Sequence, residues 1–364
     1  SSTMLRSSSF NITKVGLVGT GRIAERFVAE ARYASGLVVT SAYNPDIESV
    51  KAFKNNCSEY EIDIDTDNYD KFLEKIDAVY IASTHETHYE YAKKALKQGK
   101  HVLCEKPMAI TLEECQRMVE CAEENHRKLL IGQNQRLTRT HQIARKLIAD
   151  GEIGNVLSFQ TSFQHSGPES WSVDAGKNTW FFQKKAAAMG VMGDLGIHKT
   201  DLIQYLLDDQ IVEVTAEFST LDKCYENGEK IDVEDQALCI YRMKHGAVGT
   251  MRASWVCYGQ EDNSTIIYGS DGVMKIYCDP RYSLQIEKKD GEHILYEIDK
   301  IQTNADQTSS GVITEFIRSI EEDTASVLDG KQIVNSMKGV FAAIQSNQLN
   351  SKVVTMKVLN SCVK

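Results

Sequence analysis

Through the first 136 residues, short apolar runs alternate with segments in which apolar positions recur at helical spacing. The runs predict β-strands, and the periodic segments predict amphipathic α-helices. The predicted strands are segments 14–21, 36–44, 77–84, 100–107 and 128–136, and the predicted helices are segments 22–34, 47–56, 88–99 and 111–126. Alternation of this kind predicts a parallel sheet that helices cover on both faces.

In the remainder of the chain the pattern changes to successive strand-like runs. Turn signals such as HGA, SDG and KDG connect them, which is typical of an antiparallel sheet. Helical periodicity interrupts the sheet at 198–209 and 311–323 and returns in a last segment that starts at Lys331. We therefore expect an α/β chain with a doubly wound Rossmann domain over 11–136. An α+β domain with a large open, mostly antiparallel sheet is expected over 137–358, with a cleft between the two.

The composition argues against several classes of protein. A net charge of -10 leaves no basic face for a nucleic acid, and no apolar run approaches the roughly 20 residues that a membrane helix needs. The nine cysteines form no C-x-x-C pair, which disfavours a zinc site and indicates free thiols in a reducing compartment. We expect a cytoplasmic protein. Residues 1–10 are mostly polar, and we expect them to be flexible and to include a tag remnant before Met4.

The first predicted strand ends in Gly19-Thr20-Gly21-Arg22-Ile23-Ala24, a G-x-G-x-x-A motif that opens the first helix. In such a motif the first glycine permits a tight turn, and the second lets the backbone approach a pyrophosphate. The N–H groups at the start of the helix then hold the phosphates. In this strand–turn–helix setting the motif predicts dinucleotide binding by Gly19 through Ile23. A glycine turn without a ligand is the alternative.

The tip of the second strand distinguishes NAD from NADP, because an acid there binds the ribose hydroxyls and an arginine accepts a 2′-phosphate. The tip is Asn44-Pro45-Asp46, and no Arg or Lys follows before Lys51. Asn44 can hydrogen-bond a ribose, and Asp46 would repel an additional phosphate. We therefore predict NAD as the cofactor and regard NADP as the less suitable one.

Two further stretches carry candidate chemistry. HVLCEKPMAIT ends a strand in Glu105-Lys106-Pro107, so Lys106 is expected in the ligand crevice at the carboxyl edge of the sheet. AMGVMGDLGIHKT places Asp194 four residues before His198. One interpretation makes Asp194 a helix N-cap and His198 a packed residue of the first turn. The other makes them a base and the group that orients it.

The chain resembles the glucose–fructose oxidoreductase / inositol dehydrogenase / MocA family. The resemblance rests on GLVGTGRIA, ASTHETHYEYAKKALKQGKHVLCEKPMAIT, GEIGNV, GDLGIHKTDL and HGAVGTMRASW, and it extends over nearly all of residues 14–358. It implies a second domain whose open sheet carries the substrate and the oligomer contacts, and commonly a cis Lys-Pro peptide. It also implies a catalytic lysine at Lys106 and a D-x-x-x-H pair at Asp194 and His198.

Two positions depart from the pattern of that family. Ala188-Met189-Gly190 stands where the family often has three glycines, and Ser83-Thr84-His85 stands where many members have TPN. Through the resemblance, these three residues are expected near the nicotinamide ribose, with His85 a cofactor contact rather than a catalyst. Glu105 and His88 are included among the cofactor contacts, although His88 is also interpreted as structural.

Oxidation of a carbinol requires a hydride acceptor, a base for the hydroxyl proton and a group that stabilises the developing alkoxide. His198 suits the proton transfer because the pKa of an imidazole is near neutral. Asp194 is expected to fix the tautomer of His198. Lys106 is expected to place positive charge beside the oxygen or to relay the proton.

The substrate contacts are expected around the same stretch. Asp201, one helical turn after His198, bonds a substrate hydroxyl or Lys199, with a solvated carboxylate as the alternative. Trp171 and Trp180 flank the preceding loop, where an indole packs either on a sugar face or in the core. Further candidates, all near strand ends that face the cleft, are Asn134, Arg136, Gln164 and His165.

Together, these residues and the resemblance predict an NAD-dependent oxidoreductase that acts on a secondary hydroxyl of a sugar, a glycoside or a cyclitol such as inositol. Oxidation of a glucosyl unit at C3 is one form, because the ketone acidifies the neighbouring C–H and prepares the glycoside for a partner lyase. Two alternatives remain open: a redox-neutral glycosidase that uses bound NAD, and a non-catalytic dinucleotide-binding sensor. The uncovered face of the sheet predicts a homo-oligomer.

Overall fold

The computed structural model describes residues 11–65, 67–170, 176–177, 184, 189–300 and 310–357. Six parallel strands form the N-terminal sheet: β1 Thr13–Val18, β2 Leu37–Tyr43, β3 Asp63–Asp65, β4 Ala78–Ile81, β5 His101–Cys104 and β6 Leu129–Ile131. Their spatial order is β3-β2-β1-β4-β5-β6, so the chain reverses direction across the sheet between β1 and β4. A ligand crevice forms at such a switch point, outside the carboxyl ends of the strands.

Five helices belong to this sheet: α1 Arg22–Ala31, α2 Ile47–Asn56, α3 Tyr69–Glu74, α4 His88–Lys97 and α5 Leu112–Glu124. Side chains cap several of them, as their sequences indicate. Thr111 accepts a hydrogen bond from the Glu114 N–H at 3.1 Å and starts α5. The pattern of apolar residues missed β3 and α3, because both are too short to show a period. The predicted Rossmann sheet is confirmed.

The second domain is built on a nine-stranded sheet. Its strands are β7 Val156–Gln164, β8 Ile211–Ser219, β9 Gln236–Met243, β10 Val248–Ser254, β11 Thr265–Gly269, β12 Gly272–Ile276, β13 Leu284–Lys288, β14 His293–Tyr296 and β15 Val353–Val354. The order is β14-β13-β12-β11-β7-β10-β9-β8-β15. β7 and β10 are parallel, and the other described pairings are antiparallel. This confirms the open, mostly antiparallel sheet.

Four further helices complete the described fold: α6 Arg139–Ala149, α7 Ile197–Leu207, α8 Val312–Glu322 and α9 Gly330–Leu349. α7 follows directly on a π-helical turn at Met192–Gly196. α9 packs between α5 and β8 and so contacts both domains. Within the described part of the chain, no helix combines the length and the apolar character that a membrane crossing requires.

Helix α8 returns to the N-terminal domain. Its buried residues Val312, Phe316 and Ile317 join the core that α1 forms with one face of the Rossmann sheet. The Ile131 N–H donates to the Leu328 carbonyl at 2.9 Å, so the segment after α8 extends the edge of the sheet at β6. The first domain is therefore completed by a segment that lies far away in sequence, outside the continuous range 11–136 that was expected for it. The boundary at residue 136 itself stays a prediction.

A buried ion pair also joins the two parts. Arg136, just after β6, makes two hydrogen bonds to the Asp201 carboxylate of α7, at 2.9 and 2.8 Å. The side chains are 6% and 2% exposed. Ser336 of α9 donates to the same carboxylate at 2.6 Å, and Arg136 also donates to the Val327 carbonyl at 2.9 Å. Bidentate geometry and additional partners are what a buried ion pair needs to offset desolvation.

Substitution of Asp201 by Ala should lower the free energy of unfolding by about 3–5 kcal/mol, because it leaves the Arg136 guanidinium buried without its carboxylate. A urea titration of the purified variant measures this. The control is Glu213→Ala, which breaks an ion pair with Arg242 that is far more exposed than the Arg136–Asp201 pair and should cost at most about 1 kcal/mol. Equal effects of the two substitutions would show that burial does not determine the value of the Arg136 pair.

Candidate active site

The turn between β1 and α1 has the geometry of a phosphate cradle. Gly19 adopts a φ of +97°, and a Cβ at this position would lie 2.6 Å from the Ala82 carbonyl oxygen. Only glycine therefore allows the ends of β1 and β4 to approach this closely. Gly21 is the N-cap of α1, and no side chain caps the helix there. Arg22 and Ile23 start the helix, so the chain leaves this N-terminus to an anionic ligand such as a diphosphate.

Asn44 and Asp46 form a rigid tip at the end of β2. The Asn44 amide donates to the Thr20 hydroxyl at 2.9 Å and accepts from the Asp46 N–H at 2.9 Å. The Asp46 carboxylate accepts from the N–H groups of Glu48 and Ser49 and so caps α2. Asp46 thus caps α2 at the tip of β2, and its effect on the choice between NAD and NADP stays a prediction. A contact between Asn44 and a ribose stays a prediction.

A cavity of about 490 Å³ lies between the two domains, at the carboxyl edge of the Rossmann sheet. Both domains contribute side chains with candidate chemistry to its wall: Ile23, Ser83, His85, His88, Glu105, Lys106, Asn134, Phe163, Asp194 and His198. The structure thus brings together the stretches that the sequence separates by almost ninety residues. The peptide between Lys106 and Pro107 is cis.

Lys106 and Asp194 form an ion pair across this cavity. The Lys106 ammonium lies 3.4 Å from Oδ1 of Asp194 and donates to the Asp194 carbonyl at 2.6 Å and the Gly193 carbonyl at 3.4 Å. The side chains of Lys106 and Asp194 are 14% and 10% exposed. Burial weakens competition from water, so the pair holds the lysine of the first domain against the helix of the second.

Trp255 is a partner of this pair that the sequence analysis missed. Its indole N–H donates to Oδ2 of Asp194 at 2.9 Å, and its side chain is completely buried at the end of β10. The only signal in the sequence was its place in the stretch HGAVGTMRASW, which gives no indication of a contact with Asp194. The indole occupies the carboxylate oxygen that Lys106 does not bind.

This arrangement corrects the role expected for Asp194 toward His198. Both carboxylate oxygens of Asp194 bond other groups, and Nδ1 of His198 has no hydrogen-bond partner among the described residues. Nor does Asp194 cap the helix, because it lies inside the π-helical turn that precedes α7. A spacing of four residues therefore does not by itself establish a hydrogen bond between Asp194 and His198, since the partners of Asp194 come from other parts of the chain.

The surroundings of His198 keep its imidazole neutral. Burial, followed by the charges of Lys106 and Lys199, holds the pKa of His198 well below 6.5. Lys199 is itself fully buried, donates to the Asn263 carbonyl at 3.2 Å, and has its pKa lowered to about 7 by burial. A neutral imidazole beside a cavity is able to accept a proton from a bound hydroxyl.

His88 connects the ends of two Rossmann strands. Its ring nitrogens lie 2.7 Å from the Pro107 carbonyl and 3.0 Å from the Ser83 carbonyl. Burial lowers the pKa of His88, so the neutral ring donates to one of these two oxygens. Its main contribution is therefore to hold the turn that follows Lys106. Its ring centroid lies 5.7 Å from that of His85, which is also buried in the cavity wall.

Glu105 and the turn after β4 complete the cofactor side of the cavity. Glu105 accepts a hydrogen bond from the Tyr80 hydroxyl at 2.5 Å, and burial raises its pKa. The Ser83 hydroxyl pairs with that of Thr87 at 2.7 Å, whereas the Thr84 hydroxyl donates to Glu86 at 2.9 Å. Contacts of these residues with a cofactor remain predictions.

Several expected substrate contacts have other partners in the structure. Arg136 and Asp201 form the buried pair described above, so neither is available to a sugar and Asp201 does not bind Lys199. Arg252 donates to the Gln164 amide oxygen at 3.0 Å on the sheet. The assignment of Asp201 to the substrate rests on its place one helical turn after His198, and those of Arg136 and Gln164 rest on their places at strand ends. Neither signal reveals that a partner from another element already binds the side chain.

Two substrate candidates keep unpaired atoms. Among the described residues, Oδ1 of Asn134 and Nε2 of His165 have no hydrogen-bond partner although both are buried. Nδ1 of His165 accepts from the Gly167 N–H at 2.9 Å, and burial lowers the pKa of its ring, so Nε2 carries the proton as a donor. Trp171 and Trp180 lie outside the described residues.

Two family profiles match the chain. Residues 13–133 match the profile described as oxidoreductase family, NAD-binding Rossmann fold, and residues 141–275 match the GFO/IDH/MocA C-terminal domain. The matched ranges follow each other in the order of the two domains and together cover more than half of the chain.

Curated proteins with similar sequences include dehydrogenases of sugars and cyclitols. Levoglucosan dehydrogenase of Pseudarthrobacter phenanthrenivorans is 29% identical over 68% of this chain and 66% of the relative. Glucose-6-phosphate 3-dehydrogenase of Bacillus subtilis is 29% identical over 64% of this chain and 65% of the relative. The chain thus spans just under two thirds of both. Inositol 2-dehydrogenase of Rhizobium meliloti is 24% identical over 92% of this chain and 96% of the relative.

Solved structures share the fold over almost the whole chain. A levoglucosan dehydrogenase in complex with NADH and levoglucosan superposes with a TM-score of 0.78 at 24% identity, covering 94% of this chain and 98% of the other. An oxidoreductase from Agrobacterium radiobacter in complex with NAD+, L-tartaric acid and magnesium gives 0.81 at 19% identity, covering 96% and 100%. At these identities the superpositions establish the fold.

Replacement of Trp255 by Phe should lower kcat by roughly tenfold to a hundredfold. The change keeps an aromatic ring but removes the hydrogen bond to the Asp194 carboxylate, and a hydrogen bond to a charged group is worth about 1.5–3 kcal/mol. Steady-state kinetics with a polyol that the wild type oxidises measure the change. Tyr241→Phe is the matched control, since it removes a buried hydroxyl that bonds Thr200 at 2.6 Å but does not reach Asp194. If both variants kept wild-type kcat, the indole N–H would have no role in the reaction.

Proposed function

Because the chain belongs to the GFO/IDH/MocA oxidoreductase family, we propose that it oxidises a secondary hydroxyl of a sugar, a glycoside or a cyclitol with NAD. The observation that carries this proposal is the ion pair of Lys106 and Asp194 beside the neutral His198, in a cavity between a dinucleotide fold and a second domain. The cradle at Gly19 and Gly21 fits a dinucleotide diphosphate.

NAD, when bound, supplies the hydride acceptor. His198 then accepts the proton of the substrate hydroxyl, for which its lowered pKa keeps it in the basic form at neutral pH. The Lys106 ammonium stabilises the alkoxide as negative charge develops on the oxygen. Asp194 holds that ammonium in place rather than orienting the imidazole, and Trp255 in turn fixes Asp194. Asp194 thus acts on the reaction through Lys106.

The substrate class is a ring polyol. The relatives are named for levoglucosan, glucose 6-phosphate at position 3, and inositol, which are ring compounds with several secondary hydroxyls. The cavity supports this class, since Phe163 offers it an apolar ring face and Asn134 an unpaired amide oxygen. Oxidation of a glucosyl unit at C3 belongs to this class, and a lyase that takes up the 3-keto product is then the proposed downstream partner.

A redox-neutral reaction is the second candidate. One relative, 26% identical over 77% of this chain, is named 2,7-anhydro-N-acetylneuraminate hydratase, which is not a net oxidation. In such a reaction bound NAD would take a hydride from the substrate and return it, so no net NADH would result. The two candidates differ in whether NADH accumulates in solution.

A homo-oligomer through the nine-stranded sheet and a cytoplasmic location are also proposed. On the outer face of β9, Leu238 and Ile240 are 38% and 50% exposed, and no described helix covers them. An uncovered apolar surface of this kind favours a second copy of the sheet. The described cysteines are free thiols, as a reducing compartment allows.

Sedimentation equilibrium of the wild type and of Ile240→Lys should show association in the wild type only.

Incubation with NAD and a panel of levoglucosan, inositols, free hexoses and alkyl glucosides should give NADH absorbance at 340 nm with at least one compound. The same panel with NADP should give a lower kcat/KM, because the Asp46 carboxylate at the tip of β2 would repel the 2′-phosphate. Turnover without NADH but with release of free sugar would favour the redox-neutral candidate. No turnover of any polyol, with NAD bound, would contradict both.

His198→Gln should lower kcat by about 10²–10⁴-fold, the usual contribution of a general base, while the Kd for NADH, measured by fluorescence, changes little.

In the wild type, kcat/KM should stay level as pH falls from 7.5 to 6.5 and decline only at lower pH, because the lowered pKa of His198 keeps the imidazole unprotonated over that range. An acid limb centred above pH 6.5, or a variant with near-normal kcat, would exclude His198 as the base.

A further inference from the structure

Glu234 bonds three consecutive N–H groups where the chain enters the π-helical turn that carries Asp194. Oε1 of Glu234 accepts from the Gly190 N–H at 2.9 Å and from the Met192 N–H at 3.2 Å. The carbonyl of Glu234 accepts from the Val191 N–H at 3.0 Å. Glu234 lies two residues before β9, so this contact ties the sheet to the segment that leads into the π-helical turn.

The bonded N–H groups are those at the start of the helical run that carries Asp194 and His198. The N–H groups of Gly193 and Asp194 both bond the Gly190 carbonyl at 3.1 Å, so the helical hydrogen bonds begin there. The run then continues through α7 without a side-chain cap at Gly196. A carboxylate at this end complements the partial positive charge of the helix N-terminus and takes up N–H groups that lack a helical partner.

Gly190 brings this segment into direct contact with the strand. A Cβ at Gly190 would lie 2.2 Å from the Glu234 carbonyl oxygen and 2.9 Å from Cβ of Val233. Any larger residue would therefore push the turn away from the sheet. Of the three positions at which the family often has glycine, only Gly190 is a glycine in this chain. Its place in the structure gives the reason, since there is no room for a Cβ between the turn and the Glu234 carbonyl.

The neighbouring residue holds the other partner of Asp194. The backbone N–H of Trp255 donates to the Asp235 carbonyl at 2.8 Å. The Asp235 carboxylate accepts from the backbone N–H groups of Leu221, Asp222 and Lys223. Glu234 and Asp235 thus fix, from one point of the backbone, the helix that carries Asp194 and the strand end that carries Trp255. The distance between the indole and the Asp194 carboxylate depends on both attachments.

Burial raises the pKa of Glu234 to about 7, while the hydrogen bonds from Gly190 and Met192 oppose the shift. A carboxyl group keeps an acceptor oxygen in either protonation state, so the tether does not require the charge. An amide of the same shape would satisfy the same two N–H groups. An aliphatic side chain of that size would leave both N–H groups without their acceptor, which is unfavourable wherever they are buried.

We propose that Glu234 is a positioning residue of the reaction, which places Asp194 and His198 by holding the N–H groups of Gly190 and Met192. Among the described residues, Glu234 is not one of those that line the cavity, and it acts through the backbone of residues 190–192. The kinetic part of this inference rests on the proposed function, whereas the tether itself is independent of it.

The test compares Glu234→Leu, which removes the acceptor, with Glu234→Gln, which keeps it. Glu114→Gln is the control, since Glu114 is another partly buried carboxyl with a raised pKa, on α5 and away from the cavity. Amide hydrogen exchange of the peptide covering residues 189–195, in the NADH complex, reports the tether without any turnover. The kcat on the polyol found in the panel and the Kd for NADH report the consequence.

In Glu234→Leu, exchange at Gly190 and Met192 should accelerate by at least tenfold, and kcat should fall by at least tenfold while the Kd for NADH stays within about twofold. Glu234→Gln should restore both exchange and kcat, and Glu114→Gln should change neither. Unchanged exchange in Glu234→Leu would overturn the inference, whether or not any polyol is turned over. Faster exchange with wild-type kcat would overturn the positioning role.

Discussion

The contact between Lys106 and Asp194 is the interaction on which the rest of the site depends. Lys106 belongs to the Rossmann domain and Asp194 to the second, so the pair exists only when the two domains pack in register. Two buried charges are stable only if further hydrogen bonds offset their desolvation. The indole of Trp255 and the carbonyls of Gly193 and Asp194 provide these bonds, which explains why the strand end and the turn are fixed so closely.

Once Asp194 is committed to Lys106 and Trp255, His198 is left without a carboxylate. In a serine-protease triad the aspartate stabilises the protonated histidine. Here burial and two nearby lysines favour the neutral ring instead. In the reaction that we propose, the same residue types therefore divide the chemistry differently: His198 would accept the proton, and Asp194 would hold the Lys106 ammonium that faces the alkoxide. The roles of Lys106, Asp194 and His198 thus depend on which of them are paired, and not only on which residue types are present.

The second ion pair between the domains, Arg136 with Asp201, shows the contrast between chemistry and architecture. Both pairs are buried and join the same two domains, but the Arg136 guanidinium has the bidentate carboxylate, a carbonyl and Ser336 nearby, and it is sealed from the cavity. Lys106 stays at the cavity wall. A fully satisfied pair holds the domains together, whereas a pair with an open side is able to meet a substrate.

The sequence by itself determined the two domain types and the glycine loop, and it named Lys106, Asp194 and His198 as candidates, which the structure brings to one cavity wall. Each of these depends on local patterns: strand and helix periodicity, a glycine turn, and motifs with fixed spacing. It did not determine that Asp194 serves Lys106, that Asp201 pairs with Arg136, or that Trp255 and Glu234 support the site. Those partners lie 42 to 88 residues away along the chain, and only tertiary packing brings them within hydrogen-bond distance. The tertiary structure also decided that α8 belongs to the first domain, because burial of an apolar helix face depends on the surface available to it and not on its place in the sequence.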